Sequence, residues 1–547
     1  MWNRGQLVAF SGLDGATDYS EGLVARTVTG PDGIEIRDPG TCTIVFSDPA
    51  ATGGSVQFGG DYFSFTGQNG SVTRGAMVDG WHLIIQGPCS IGEVTAAFTD
   101  RTSTAKSALC IAEKNGRVLV GSRTHFNASL IDADIDALIR QRSAWLTSQE
   151  LPKNLSPLRR QTLARAFNMM KSQVYSPEGV IKHRWTTPDR WPHKDMWLWD
   201  SAFHAIGWRH IDPVLAREFI NAVFDTQCAD GFIAHRMSPR GAVSEFTQAP
   251  VLADAVSRVH AFAPDPEWVR DLLPRLEAYL QWDMANRDKD GAGLVEWFIE
   301  DDPVCRSGES GMDNSPRFDS ARPLDAVDFN AFLARECEVM AGFAEALGMR
   351  EKAAHWCAHY TRLCALINER LWCEKAGFYF DFDPSINART AAVSSAGFMP
   401  LICGAASQEQ AIRLAAHLTD PQMFGTEFPV ASIARKDTEH YSKDMWRGPV
   451  WVNINWLLIQ GLERYGLRAE ADHLRSCTVA EIERHCGTYG TFFEYYDDRN
   501  EVDPPELLRK GVCNPANCFR QVIHEFGWTA TLYVDLVLGR KGRAEDL

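Results

Sequence analysis

The stretch LARAFNMMKSQVY, residues 163 to 175, marks the point where the chain changes its structural period. Its apolar residues Leu163, Phe167, Met170 and Val174 follow one another at intervals of three or four, which places them on one face of a helix. The same spacing recurs from residue 327 to residue 344. The sequence therefore predicts a mainly helical region from about residue 155 onward.

Apolar spacing and helix breakers divide this region into about twelve helices. The predicted starts lie near residues 155, 197, 212, 248, 266, 326, 349, 391, 407, 447, 467 and 525. Long loops are predicted at about 228–247, 288–325, 373–390, 419–446 and 486–524. Six helix pairs fit an (α/α)6 barrel whose long loops surround a central cavity. An α-solenoid is the alternative, but no repeat motif supports it.

The amino-terminal region follows a different pattern. Short β-branched and aromatic runs such as TCTIVFSD and GRVLVGS alternate with turn residues at intervals near ten. This pattern is typical of an antiparallel sandwich. The sequence thus predicts a mainly α protein with three parts: an amino-terminal β-sandwich-like domain at residues 1–125, a linker at 126–154 and an (α/α)6 barrel at 155–547.

Composition excludes several classes of function. A net charge of −16 argues against nucleic acid as a partner, and no apolar run is long enough to span a membrane. The first residues lack the pattern of a signal peptide. The fourteen cysteines form no CxxC pair and no zinc-like cluster with histidine, which predicts reduced thiols in a cytoplasmic protein. No motif implies a cofactor, and the oligomeric state is not predicted.

One acidic loop raises the question of catalysis. The stretch ESGMDNSPRFD, residues 309 to 319, suits neither a helix nor a strand, and most acidic loops are merely solvated. From its residues alone, Glu309, Asp313 and Asp319 remain equal candidates for a catalytic carboxylate. A second candidate is Glu494 in GTFFEYYDDRNEV, where aromatic residues flank the carboxylate. Burial would raise its pKa unless hydrogen bonds or charges stabilise the anion.

The other long loops share a composition rich in tryptophan and polar side chains. They include DMWLWDSAFHAIGW from residue 195, GFIAHRMSP from residue 231, TQAPVLADAV from residue 247 and DMWRGPVWVNINW from residue 444. Each has an ordinary structural explanation, such as core tryptophans, a helix-capping acid or a structural histidine. Together with two carboxylates on different segments, they indicate a glycosidase, because one acid protonates the leaving oxygen and another activates water or attacks the sugar.

The sequence gives only weak support for a calcium site. DKDGAGLVEW, residues 288 to 297, mimics part of a calcium loop through Asp288 and Asp290, but the acids expected further on in an EF-hand are missing. We therefore predict a turn after a helix and no metal.

These motifs, together with HEFGWTATLYVDLVL from residue 524, resemble glycoside hydrolase family 63 in their order across residues 155–540. The resemblance is closest to the members that include glucosylglycerate and mannosylglycerate hydrolases. It implies an (α/α)6 barrel and an inverting mechanism, with Asp313 as general acid and Glu494 as general base. The residues that it implies for sugar binding are Trp197, Trp199, Asp200, His235, Gln248, Trp446, Arg447 and Trp451.

Arg317 complicates the assignment of Asp313. A nearby cation lowers the pKa of a carboxyl group, whereas a general acid must begin protonated. We therefore expect Arg317 to point away from Asp313 and to pair with Asp319 or Glu309.

Taken with this resemblance, the sequence predicts an exo-acting α-glycosidase that removes a terminal α-glucosyl residue from a small glycoside or oligosaccharide, and the resemblance implies that it inverts the anomeric carbon. The alternative substrate is an α-mannosyl- or glucosyl-glycerate. A different class is a sugar isomerase or epimerase on the same barrel, for which His183, His193, His204 and His235 could supply bases. A carbohydrate-binding protein without turnover would be plausible only if one of the two carboxylates were lost.

Overall fold

A computed structural model describes residues 2–30, 32–96, 108–515 and 517–539. Two antiparallel sheets form the amino-terminal region, with strand orders β1-β2-β3-β4-β9 and β10-β11-β8-β7-β6-β5. The strands are β1 (Leu7–Ala9), β2 (Val24–Val28), β3 (Gly33–Asp38), β4 (Gly40–Phe46), β5 (Val56–Phe58), β6 (Tyr62–Thr66), β7 (Val72–Asp79), β8 (His82–Gln86), β9 (Cys89–Ala96), β10 (Leu109–Lys114) and β11 (Arg117–Ser122).

The two sheets share one apolar core. Ile34 and Ile44 from the first sheet pack in the same cluster as Phe63 and Ile85 from the second, and all four are fully buried. Alternate residues of β4 point into this core, as the period of two in its sequence predicts. The predicted β-rich region is therefore observed, and its last strand ends at Ser122, close to the predicted boundary.

The remainder of the described chain is mainly helical. Its helices are α1 (Ile135–Thr147), α2 (Pro157–Ser172), α3 (Leu198–Trp208), α4 (Pro213–Asp225), α5 (Leu252–Phe262), α6 (Pro266–Arg287), α7 (Val327–Ala346), α8 (Arg350–Leu366), α9 (Pro400–Cys403), α10 (Gln408–Thr419), α11 (Val452–Arg464), α12 (Arg468–Tyr489) and α13 (Gly527–Leu538). Short strands in the connections are β12 (Val174–Tyr175), β13 (Trp185–Thr186), β14 (Met196–Trp197), β15 (Arg236–Ser238), β16 (Gly241–Ala242), β17 (Trp372–Cys373), β18 (Phe378–Tyr379), β19 (Phe382–Asp383) and β20 (Ala388–Arg389).

Several helices begin at a polar residue followed by proline. The side chains of Ser156, Asp212 and Asp265 each accept hydrogen bonds from the first turn, and proline occupies the first helical position after each. Proline is tolerated there because the N–H that it lacks would have no intrahelical partner. This local chemistry explains why the starts of α2, α4 and α6 agree closely with the sequence prediction.

Six helices pack in a closed ring. Helix α3 contacts α5, α5 contacts α7, α7 contacts α9, α9 contacts α11, α11 contacts α13, and α13 returns to α3. Helices α4, α6, α8 and α12 pack against members of this ring, and α2 packs against α12 and α13. The long connections before α3, α5, α7, α11 and α13 all contribute to one cavity.

Two predictions about secondary structure need correction. The predicted linker at 126–154 contains helix α1, which packs on β7, so this segment is an integral layer between the sheets and the helices. The helix predicted near residue 391 is a 3-10 turn at Ser395–Phe398 followed by the four-residue α9. Gly404 ends α9 in a left-handed conformation that suits glycine.

The amino-terminal region contacts the segments that precede α3. Buried Arg26 of β2 donates to the carbonyl oxygens of Asp189 and Trp191 at 2.6 and 2.5 Å. Lys194 pairs with Asp38 at 2.8 Å. The β-region therefore supports a loop that reaches the cavity through His193.

All fourteen cysteines lie among the described residues as free thiols. Within those residues, no helix combines the length and apolarity that crossing a membrane requires.

Candidate active site

A cavity of about 720 Å³ opens among the long loops at one end of the helical ring. It is lined by both predicted catalytic carboxylates, Asp313 and Glu494, although they belong to different loops. The predicted sugar-binding residues that line it are Trp197, Trp199, Asp200, His235, Gln248, Trp446 and Trp451. The cavity thus brings together both predicted catalytic carboxylates and all but one of the predicted sugar-binding residues.

Arg447 is the exception. It is not among the residues that line the cavity, and its guanidinium pairs with Asp319 at the surface. Trp446, its neighbour in the chain, is buried and lines the cavity. Sugar binding by Arg447 therefore stays a prediction that the cavity lining does not support, because its guanidinium is engaged by Asp319.

The structure separates the three acids that the sequence left open. Buried Glu309 accepts hydrogen bonds from the backbone N–H groups of Thr247 and Phe298 and pairs with Arg287 at 2.7 Å. These bonds stabilise the Glu309 carboxylate as a structural anion. Asp319 pairs with Arg447, which leaves Asp313 as the acid of this loop that faces the cavity.

Gly311 allows this loop to pass close to an aromatic ring. Its φ is +69°, a conformation that glycine adopts without penalty. A β-carbon at this position would lie 2.2 Å from Cζ2 of Trp199. Glycine is therefore required both for the turn and for the contact that brings Asp313 to the cavity.

Arg317 points away from Asp313, but its expected partners were wrong. Its guanidinium forms buried ion pairs with Asp328 and Asp381, each at 2.7 Å. Burial by itself would lower the pKa of Arg317, and the two carboxylates reverse this and raise it. Arg317 therefore anchors the loop to α7 and to the segment after β18.

Glu494 is buried beside a cation. Arg509 donates from Nε and Nη2 to its carboxylate at 3.0 and 3.3 Å. The backbone N–H of Ile523 also donates to it at 3.4 Å. Arg509 thus supplies the positive charge that a buried carboxylate needs in order to remain ionised, as a general base must be before it accepts a proton.

One tight turn brings a cation to each carboxylate. The backbone of Arg509 bonds to that of Val512 at 2.8 Å, with Lys510 and Gly511 at φ of +54° and +82° between them. While Arg509 contacts Glu494, Lys510 Nζ lies 3.5 Å from Asp313 Oδ2. Sequence reasoning missed both cations. The adjacent Arg-Lys-Gly triplet signals a turn, but nothing in the sequence indicates which acids it would meet.

The pKa of Lys510 reflects this contact. Burial is the largest influence and would lower it, but the charge of Asp313, an interaction with Cys305 and a hydrogen bond to the Asp313 carboxylate together outweigh burial and raise the pKa of Lys510. The turn is held by two further bonds: Arg520 donates to the carbonyl oxygen of Lys510 at 2.9 Å, and the N–H of Gly511 donates to Asp444 at 2.9 Å. The backbone from which the Lys510 side chain extends is therefore held in place by the loop.

Aromatic rings form one wall of the cavity. Trp446 and Trp451 stack on each other with ring centroids 3.8 Å apart, and Trp528 meets Trp199 edge-on at 5.4 Å. Among the described residues, the buried indole N–H groups of Trp197 and Trp528 meet no acceptor. Such a wall offers apolar faces to a sugar ring and donors to its hydroxyl groups.

Asp200 and Gln248 contribute differently. The Gln248 side-chain oxygen accepts from the N–H of Trp199 at 3.0 Å and so caps the start of α3. Asp200 lies in the first turn of α3, where one carboxyl oxygen has no partner among the described residues. Burial, followed by the charge of Asp189, raises the pKa of Asp200 well above its ordinary value. This shift favours the protonated form of Asp200, which can donate a hydrogen bond.

His235 is a neutral member of the cavity wall. Its Nδ1 lies 2.5 Å from the Ser244 hydroxyl, and its ring stacks on Phe246 with centroids 4.4 Å apart. Burial, assisted by the charge of Arg236, lowers the pKa of His235 well below its ordinary value. His235 can therefore contact a sugar hydroxyl without carrying charge.

A group of acids lies apart from the cavity lining. Oxygen atoms of Asp290, Glu296 and Asp325 lie within 4.8 Å of one another. The side chains of Asp288 and Asp290 accept from N–H groups of the following residues, as expected for the predicted turn. Burial raises the pKa of Glu296 to about 7 and that of Asp325 to about 6.

Comparison with known sequences identifies the family. A family model described as the mannosylglycerate hydrolase MGH1-like glycoside hydrolase domain matches residues 192–502. Mannosylglycerate hydrolase of Thermus thermophilus is 28% identical over 401 residues, which cover 57% of this chain and 91% of that protein. Mannosylglycerate hydrolase of Rubrobacter radiotolerans is 27% identical over 453 residues, covering 66% and 95% respectively.

Comparison with solved structures agrees with this family assignment. The GH63 mannosylglycerate hydrolase of Thermus thermophilus in complex with glucose matches with a TM-score of 0.57 and 27% identity, covering 69% of this chain and 99% of that one. Neutral trehalase from Saccharomyces cerevisiae, at 17% identity and a TM-score of 0.52, shares the fold. Since the family model spans more than half of the sequence, the chain belongs to the MGH1-like glycoside hydrolases, and its resemblance to glycoside hydrolase family 63 is confirmed.

Proposed function

We propose that this glycoside hydrolase cleaves an α-mannosyl- or α-glucosyl-glycerate and inverts the anomeric carbon. Its relatives favour this substrate over the α-glucoside that was our first prediction from the sequence, since the curated relatives just named are mannosylglycerate hydrolases. A structure of the Thermus enzyme that contains Tris and D-glycerate also matches this chain, with 26% identity and a TM-score of 0.55.

The observation that carries the proposal is the ammonium group of Lys510 beside Asp313. The leaving group must lie next to the acid that protonates its oxygen. An aglycone in that place lies within reach of Lys510, and glycerate carries a carboxylate that can form a charge-assisted hydrogen bond with an ammonium. A neutral aglycone, such as a second sugar, would leave this cation without a new partner.

The catalytic roles follow from the surroundings of each carboxylate. In this proposal Asp313 donates a proton to the glycosidic oxygen, which leaves with glycerate. Glu494, kept ionised by Arg509, takes a proton from the water that attacks the anomeric carbon from the opposite face. The carboxyl groups of an inverting enzyme stand about 6.5–9.5 Å apart to accommodate that water.

The sugar would bind against the tryptophan wall. Trp199, Trp446 and Trp451 present ring surface. The Trp197 N–H, which has no acceptor among the described residues, and the protonated form of Asp200, which burial favours, can donate to hydroxyl groups. Asp313, Glu494 and these sugar contacts remain proposals that mutation has to test.

The fold and location of the protein form part of the proposal. We take the closed ring of α3, α5, α7, α9, α11 and α13 as the inner wall of an (α/α)6 barrel, and the two sheets with a common core as a β-sandwich. The fourteen free thiols support a reducing, cytoplasmic environment.

An epimerase is less well supported by the histidines. His204 is buried, and burial lowers its pKa to about 3, while His183 pairs with Asp225 outside the cavity. Of the two that line the cavity, His193 is paired with Asp189 and the pKa of His235 is lowered. A carbohydrate-binding protein without turnover would not need a cavity lined by both carboxylates.

The proposal is tested by incubating the purified protein with α-mannosylglycerate and α-glucosylglycerate and measuring released glycerate. Trehalose and maltose serve as neutral α-glycosides for comparison. Release of glycerate from at least one of the two, with much slower cleavage of the disaccharides, is the expected result. Faster cleavage of the disaccharides would contradict the proposed substrate and restore the first prediction.

A further inference from the structure

The contact between Lys510 and Asp313 creates a chemical conflict. A neighbouring ammonium favours the charged form of a carboxyl group, whereas a general acid must enter the reaction protonated. The loop keeps the backbone of Lys510 next to Asp313, because Arg520 and Asp444 bond to the backbone of its turn. The conflict is therefore a feature of the free cavity that substrate binding has to resolve.

Other charged and polar groups near Asp313 do not remove this conflict. Arg509 is engaged by Glu494, while the negative charge of Glu300 interacts with Asp313 and opposes the effect of Lys510 without pairing with either group. Burial raises the pKa of the Cys305 thiol far above its ordinary value, so it carries no charge at neutral pH. Lys510 is thus the cation that pairs directly with Asp313 within the described part of the cavity.

The pair can open when a substrate arrives. About a quarter of each side chain is exposed, 23% for Lys510 and 26% for Asp313, and their closest atoms lie 3.5 Å apart, which is longer than a charge-assisted hydrogen bond. Partly exposed pairs of this kind contribute little free energy. A carboxylate on the aglycone can therefore compete for the ammonium.

We propose that Lys510 makes cleavage depend on an anionic aglycone, because its ammonium group transfers from Asp313 to the carboxylate of the bound leaving group. The inference rests on the proposed function and adds a reason for substrate selectivity. Once the aglycone carboxylate occupies Lys510, Asp313 loses its cationic partner and takes up a proton. A neutral aglycone leaves the pair between Lys510 and Asp313 intact and is cleaved slowly.

The proton balance of one turnover is complete. Asp313 takes a proton from solvent as the substrate carboxylate displaces it from Lys510. During cleavage the bond from the anomeric carbon to the aglycone oxygen breaks, the bond to water oxygen forms, Asp313 protonates the aglycone oxygen and Glu494 receives the proton of water. Departure of glycerate returns Lys510 to the ionised Asp313, and Glu494 releases its proton to solvent.

The test compares two substrates that differ only in charge. One is the α-glycosyl-glycerate that the wild type cleaves, and the other is the matching α-glycosyl-glycerol, in which a hydroxymethyl group replaces the carboxylate. Lys510→Met removes the ammonium but keeps the length of the side chain, and Lys510→Arg keeps the charge. Both variants, like the wild type, place a residue other than glycine at this left-handed position, so the backbone strain is the same in all three. Circular dichroism checks the fold.

The two substrates should respond in opposite directions. For Lys510→Met, kcat/KM on the glycerate substrate should fall about 100-fold, as expected when one partner of a charged hydrogen-bonded pair is removed. On the neutral substrate, kcat should rise several-fold, since Asp313 is released from its cation. Lys510→Arg should retain the preference for the glycerate substrate. A merely structural role for Lys510 would lower both rates together.

The outcomes distinguish failure of the proposed function from failure of the proposed role of Lys510. If the wild type cleaves neither substrate, the proposed function fails and the role of Lys510 fails with it. If the wild type cleaves the glycerate substrate but Lys510→Met leaves the preference unchanged, only the role of Lys510 is refuted. A variant that loses the glycerate substrate without any gain on the neutral one would show that Lys510 binds the aglycone and does not control Asp313.

Discussion

Replacing the two carboxylates one at a time should abolish activity equally but change stability unequally. Asp313→Asn and Glu494→Gln each remove a proton-transfer group while keeping the shape of the side chain. General acid–base catalysis contributes about 10²- to 10⁴-fold to rate, so each variant should lose turnover by about that factor. The difference between them arises from their partners.

The stability difference follows from burial. Glu494 and Arg509 are each only 5% exposed, and removing one partner of a buried pair costs about 3–5 kcal/mol. The amide oxygen of glutamine can still accept one bond from Arg509, which brings the expected loss to about 2–3 kcal/mol. The pair of Asp313 with Lys510 is partly exposed and screened, so Asp313→Asn should cost at most about 1 kcal/mol.

The assay combines kinetics with denaturation. Initial rates on the glycosyl-glycerate measure turnover, and urea unfolding followed by tryptophan fluorescence measures stability. Asp319→Asn is the matched control, because it alters an acid of the same loop that pairs with Arg447 away from the cavity, and it should retain activity within about twofold. Near-normal turnover in either carboxylate variant, or a greater loss of stability in Asp313→Asn than in Glu494→Gln, would refute the reasoning.

Three further predictions concern the supporting structure. Gly311→Ala should lower kcat at least tenfold and leave the sheet region intact, because the new β-carbon collides with Trp199; normal kcat would show that the loop can relax. Trp197→Phe should raise KM with little change in the melting temperature, since it removes an N–H that has no acceptor among the described residues; an unchanged KM would exclude a sugar contact. Glu296→Gln should stabilise the protein at pH 8 but not at pH 4, measured by urea unfolding with a chelator present. The raised pKa of about 7 means that the folded state binds more protons than the unfolded state, so stability falls as pH rises from about 4.5 to 7, and glutamine does not titrate; equal effects at both pH values would contradict this.

The helices were predictable because their signals are local. A capping side chain followed by proline predicts the start of α2 at Pro157 and that of α6 at Pro266. Helix α9 was harder to predict, because the residues around it are buried on every side and its four residues show no helical period. Helix α1 was missed for the opposite reason, since its many polar residues resemble those of a linker.

The candidate site was only partly predictable. The motifs of the resemblance pointed to Asp313 and Glu494, and the cavity brings both together. The partners of these acids depend on how distant loops meet, and no spacing in the sequence brings Lys510 to Asp313 or Arg509 to Glu494. Arg447 and Trp446 are neighbours in sequence, but only Trp446 lines the cavity, while Arg447 pairs with Asp319.

The most direct test of the account is the anomeric proton signal in the first minutes after the wild type is mixed with α-mannosylglycerate or α-glucosylglycerate. Proton NMR at that stage reports both whether the glycosidic bond is broken and which anomer is released before mutarotation. The account predicts that at least one substrate is hydrolysed and that the β-anomer of the free sugar appears first. Hydrolysis of neither substrate, or early release of the α-anomer, would contradict it.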